Sequence, residues 1–111
     1  MEKIDLTYLN SVTDGNKEFI IELIGIIKDQ LPEFIEEFNT AYAQNDYDAL
    51  SKTAHKAKST IAIMGLQSLT DILNKLELEA AKGDNKDSYL EYIQFFEKTS
   101  KEGLQQLEVL F

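Results

Sequence analysis

Apolar residues recur at spacings of three and four along almost the whole chain, and no stretch alternates polar and apolar positions for long enough to form a strand. One proline and five glycines in 111 residues leave few interruptions in that period. The sequence therefore predicts an all-α protein. The length suits one domain, and a chain of 12.7 kDa buries roughly 60 to 70% of the surface its unfolded form exposes, enough for a shared core. With no cysteine there is no disulfide framework and no thiolate chemistry.

The helices can be placed from their caps and breakers. Asp5 caps a short helix over Leu6 to Val12, and Thr13-Asp14-Gly15-Asn16 supplies a turn and a new cap. A long helix follows to about residue 44, with Ile20, Ile24, Ile27, Leu31, Phe34 and Phe38 as its core stripe. Pro32 lies inside it and predicts a kink or short break near Gln30. Asp46 or Asp48 caps a third helix, which ends at Met64 with Gly65 as terminator. A fourth spans Gln67 to Lys82, burying Leu69, Ile72, Leu73 and Leu76, with Gly83 as its terminator. A fifth starts near Ser88, with Tyr89, Tyr92, Ile93, Phe96, Leu104 and Leu107 inward.

Short connections between such helices imply an antiparallel up-down four-helix bundle with a short extra N-terminal helix. The last five residues, LEVLF, coincide with the start of a common viral-protease cleavage tag. The domain is accordingly taken as residues 1–106, with 107–111 a tail that continues the last helix and carries no assigned function.

Twenty acidic residues against eleven lysines give a net charge of -9, which repels nucleic acid and anionic membranes and points to a protein partner. The stretch from Met1 to Asp5 is too polar for a secretory signal. The most apolar run, Phe19 to Ile27, is interrupted by Glu22 and is far shorter than the ~20 residues that span a bilayer.

His55 is the only histidine. On the third helix the core stripe is Tyr47, Leu50, Ala54, Ala57, Ile61 and Met64, and His55 stands about 100° around from Ala54. Its own face holds Asp48, Ser51, Lys52, Lys58, Ser59 and Ala62, all small or polar, so a partner can reach the ring. Lys52, Lys56 and Lys58 form a local basic patch suited to an anion on that ring. An unperturbed imidazole titrates near 6.5, so a substantial neutral fraction with one free ring nitrogen exists at pH 7.

The run from His55 through Lys58, Ser59 and Gly65 to Leu69 resembles the signature of histidine-containing phosphotransfer (HPt) domains: a His, a Lys three residues on, a small residue after it, and a Gly ten residues from the His. The family's helix order fits the rest of the chain. Ser59 stands where the family often has Gly, and Ala57 where it often has a larger residue.

The resemblance implies a phosphocarrier rather than an enzyme, with no ATP-binding or kinase motif. His55 would accept a phosphoryl group from a response-regulator receiver aspartate and pass it to another receiver, reacting at Nε2. Lys58 would stabilise the phosphate, Ser59 would keep access open and add a hydroxyl contact, and Glu77 is the candidate for orienting the imidazole. Lys58 lies one turn from His55, where a unit charge pair at about 4 Å is worth roughly 1 kcal/mol in water and about 4 at an effective dielectric near 20.

Docking would involve Lys52, Lys56, Ala62, Ile63 and Leu66, together with Leu6, Leu9, Val12, Phe19 and Ile21 on the first two helices. Gly65 is structural. The implied partners are receiver domains and a hybrid sensor histidine kinase, met by a monomer in the cytoplasm. The chain itself would bind no cofactor or metal; Mg²⁺ belongs to the receiver.

Rival chemistries fit less well. A histidine-kinase dimerisation domain has an acidic residue after its His and a Pro soon after, where this chain has Lys56 and no such Pro. Di-iron bundles need Glu-x-x-His, and Lys52 holds the Glu position. Ser59 beside His55 lacks a third member and an oxyanion hole. A module of the same fold that docks receivers or helical partners without using the histidine is the alternative reading.

Overall fold

The computed structural model describes residues 2–111, so Met1 of the polar leading stretch lies outside it. Five α-helices follow in order: α1 (Thr7–Thr13), α2 (Lys17–Ala43), α3 (Tyr47–Met64), α4 (Gln67–Lys82) and α5 (Tyr89–Leu110), with a 3-10 turn at Lys86–Ser88 leading into α5. No strand occurs among the described residues. At 1.5 Å per residue α2 is about 40 Å long, nearly the 42 Å length of the molecule. In the four-helix bundle α3 and α4 share the largest interface, α2 lies against α3 and α5, and α5 closes against α4. The extra helix α1 packs on α2 and α3.

Side-chain caps set where α2 and α3 begin. Asn16 Oδ1 accepts from Phe19 N–H and Asp46 Oδ1 from Ala49 N–H, both at 3.0 Å, which starts α2 and α3. Asp5 Oδ1 accepts from Thr7 N–H at 2.9 Å, so α1 begins one residue later than the sequence suggests. Gly65 and Gly83 end α3 and α4 with φ of +64° and +69°.

The turn after α3 is held by the chain's first residues. Asp5 N–H donates to Met64 O at 3.1 Å, Ile4 N–H donates to Gln106 Oε1 at 2.9 Å, and the Glu2 carboxylate accepts from the Ser68 hydroxyl. A β-carbon at position 65 would stand 2.7 Å from Asp5 Cβ and 2.9 Å from Asp5 N. Gly65 therefore meets two demands, a left-handed backbone and a close approach by Asp5.

The expected break in α2 does not occur. The helix runs through Pro32, and Ile24, Ile27, Leu31, Phe34 and Phe38 are all buried along it. Each such side chain contributes about 1.5 to 3 kcal/mol, so the stripe outweighs the roughly 3 kcal/mol that an interior proline costs. The ring itself points to solvent.

The core matches the predicted stripes with a few shifts: Tyr47, Ile72, Tyr92 and Leu104 are half-buried rather than fully inside. Leu107 is completely buried, and α5 continues to Leu110. Two expected docking residues are core residues instead. Leu9 is 0% exposed because it is the side chain that anchors α1 to the bundle, and Leu66 is 1% exposed because it fills a notch at Gly103. A β-carbon at Gly103 would stand 2.6 Å from Leu66 Cδ1. No helix among the described residues is long and apolar enough to cross a membrane.

Candidate functional site

Two neighbouring helices build the site. Residue 55 faces outward from α3 because Ala54 and Ala57 take the inward positions beside it, and the His55 side chain is 70% exposed. Glu77 on α4 lies beside it, with Leu73, Leu76 and Ala80 buried on the inner side of the same helix. The Ser51 hydroxyl donates to the Glu77 main-chain carbonyl at 2.8 Å and ties α4 to α3 one turn before His55. On the other side the Thr60 hydroxyl donates to Gln30 Oε1 at 2.6 Å and ties α3 to α2.

Glu77 divides its two oxygens between two partners. Oε2 lies 2.8 Å from His55 Nδ1 and Oε1 lies 2.7 Å from Lys58 Nζ. The hydrogen bond from Lys58 holds the Glu77 carboxyl below its ordinary range, with His55 adding to the effect and partial burial opposing it. An ionised carboxylate only accepts, so Nδ1 carries the hydrogen of this contact. A neutral ring so arranged keeps its lone pair on Nε2.

The basic patch is a row of ion pairs. Lys52 meets Asp48 at 2.9 Å, Lys56 meets Glu37 at 2.8 Å, and Lys58 meets Glu77. The hydrogen bond to Asp48 raises the Lys52 pKa. The Lys52 and Lys56 pairs are well exposed and therefore weak, so those two lysines can change partner at little cost. Ser59 is exposed and its hydroxyl donates back to Lys56 O at 3.2 Å, within its own helix.

Of the apolar docking candidates, Phe19, Val12 and Ile21 are exposed, Leu6, Ala62 and Ile63 are half-buried, and Leu9 and Leu66 are removed by burial. A cleft of about 740 Å³ between α2 and α3 is lined by Glu33, Glu36, Glu37, Lys56 and Ser59 among others, but not by His55. The imidazole stands on open surface outside this cleft, without the concave surroundings typical of a small-ligand site. No group of three or more potential metal-binding side chains occurs among the described residues.

Sequence reasoning missed Ser51 and Thr60 as supports and the acidic partners of Lys52 and Lys56. Ser51 lay on His55's predicted face four residues before it, which was the available signal; the partners Glu37 and Gln30 come from a different helix and left no local trace.

Comparison with curated proteins and with solved structures gave no match. A family model described as Hpt domain matches residues 22–110, which takes in most of α2 and all of α3, α4 and α5, and with them His55, Lys58, Gly65 and Glu77. On that match this chain belongs to the Hpt domain family, the histidine phosphotransfer modules of phosphorelays.

Proposed function

We propose that His55 is the phosphoacceptor of a relay, taking a phosphoryl group from the aspartyl phosphate of one response-regulator receiver and delivering it to the aspartate of another. The observation that carries this reading is an exposed imidazole whose Nδ1 is engaged by an ionised Glu77, so that Nε2 faces outward as the nucleophile. In the forward step the Nε2 lone pair forms the N–P bond while the P–O bond to the receiver aspartate breaks. That carboxylate leaves with its electron pair, and no proton has to move. The ring, now substituted at Nε2 and protonated at Nδ1, is cationic, and Glu77 lies against that charge. Delivery reverses the sequence.

The other residues support this step. Lys58 supplies positive charge to the phosphoryl oxygens, and Ser59 keeps the approach narrow-sided and open. Lys52 and Lys56 meet the acidic surroundings of a receiver aspartate by exchanging their own carboxylate partners. Phe19, Ala62 and Ile63 provide apolar contact, while Gly65 shapes the end of α3. The receiver brings Mg²⁺. A hybrid sensor histidine kinase would stand upstream, and the setting would be the cytoplasm, with the chain acting as a monomer that meets one receiver at a time.

The direct test mixes the protein with phosphorylated receivers and follows intact mass and acid lability, beside His55→Gln. An acid-labile phosphate that requires His55 supports the relay. Equal receiver binding by both proteins with no transfer to either would replace it with a binding module that leaves the histidine unused.

A further inference from the structure

The Lys58 ammonium is already engaged before any phosphate arrives, by Glu77 Oε1 at 2.7 Å. This is the most sheltered of the three lysine pairs around His55: its side chains are 31% and 24% exposed, against 75% and 76% for Lys52–Asp48 and 55% and 43% for Lys56–Glu37. Resting on the relay reading of His55, we propose that Lys58 changes partners during the reaction, leaving the Glu77 carboxylate for the phosphoryl group on His55, and that Glu77 is the positioning residue that sets how strongly Lys58 serves that group.

The charges favour the exchange. At rest a neutral ring sits beside a compensated pair, Glu77 negative and Lys58 positive. Once the N–P bond has formed and the donor's P–O bond has broken, the ring is cationic and a phosphoryl group of up to two negative charges hangs from Nε2. One pair becomes two: ring with Glu77, phosphoryl with Lys58. Lys58 donates hydrogen bonds in both states and loses no proton. It lies one turn from His55, with Cβ atoms roughly 5 to 6 Å apart, and its flexible four-carbon stem allows the swing.

The exchange fixes the sign of a coupling. If Glu77 competes with the phosphoryl group for Lys58, the benefit of Lys58 is reduced by the cost of leaving Glu77, and neutralising Glu77 enlarges it. If the three side chains instead act as one cooperative clamp, neutralising Glu77 diminishes it. Glu77→Gln is the informative change, since it keeps an oxygen for Nδ1–H but offers Lys58 no charge.

The experiment uses wild type, Lys58→Met, Glu77→Gln and the double variant, with phosphoramidate as donor and His55→Gln as blank. Phosphohistidine formation is followed by ³¹P NMR and intact mass, thermal melts confirm the fold, and ¹⁵N shifts report the His55 tautomer. The fold-loss caused by Lys58→Met should be greater in the Glu77→Gln background than in wild type, by up to about five-fold for a partly sheltered ion pair. An equal or smaller loss overturns the exchange. So does a tautomer change on Lys58→Met, which would mean that Lys58 acts through the orientation of the ring. Wild type no more phosphorylated than the blank would sink the relay reading itself, and this inference with it.

Discussion

Ser51 reaches across from α3 and donates its hydroxyl to the main-chain carbonyl of Glu77 at 2.8 Å. The bond fixes the helical backbone from which the Glu77 carboxylate addresses His55. Ser51→Ala removes it and should lower stability by about 0.5 to 1.5 kcal/mol, the net worth of one hydrogen bond. The same change should broaden or shift the His55 Nδ1 resonance in ¹⁵N spectra. An unmoved resonance would show that Glu77 is positioned by helix packing alone.

Gly65 should tolerate no side chain. Its φ of +64° costs a non-glycine residue about 1 to 2 kcal/mol, and Asp5 occupies the space a β-carbon would need. Gly65→Ala should therefore lower Tm by more than the 4 to 8 °C that ~1 kcal/mol costs a domain near this size. Gly65→Asn separates the two causes, since asparagine adopts the left-handed backbone more easily but brings the same β-carbon. A full rescue by asparagine would argue that the Asp5 contact yields without cost.

Glu77 predicts a particular response to acid. Its folded-state pKa lies below its unfolded value, chiefly because of Lys58, so its contribution to stability is fully present above the ordinary glutamate range. That contribution is lost as pH falls through the lowered folded value. Urea midpoints of wild type and Glu77→Gln should therefore differ at pH 6 to 7 and converge toward pH 3. A gap that stays constant with pH would mean that the pairs around Glu77 add nothing to folding.

Pro32 is a site of recoverable stability. It lies exposed inside an unbroken α2, where its ring removes a donor and crowds the preceding turn. Pro32→Ala should raise stability by roughly 1 to 2 kcal/mol after allowing for the greater freedom alanine gives the unfolded chain. Urea denaturation measures this directly. No gain would indicate that α2 already relieves the ring by bending.

The fold was legible because its punctuation is local. Asn16 and Asp46 announce helix starts by their own side chains, and Gly65 and Gly83 announce ends by the backbone they permit. At Pro32 a local rule foresaw a kink or a short break, and the break is absent because a stripe of buried side chains outweighs the proline's cost. At the site, His55 and Lys58 could be placed from their phase on α3. The misplacement of Leu9 and Leu66 has a common origin: each is buried by a partner far away in sequence, the bundle under α1 in one case and Gly103 in the other. The acidic partners of Lys52 and Lys56 turn an apparent basic patch into neutral pairs, and of these only Asp48, on the same helix, lay within reach of a sequence argument.

The notch at Gly103 also governs what α5 can do mechanically. Leu66 projects into it from the α3–α4 turn, and a slip of α5 by one helical turn, about 5.4 Å, would present Thr99 or Leu107 where only a glycine fits. The leucine thus acts as a detent that blocks axial ratcheting of the last helix. With α5 pinned in this way, the turn that closes α3 stays fixed on the bundle, and the surface around His55 rests on a base that cannot slide beneath it.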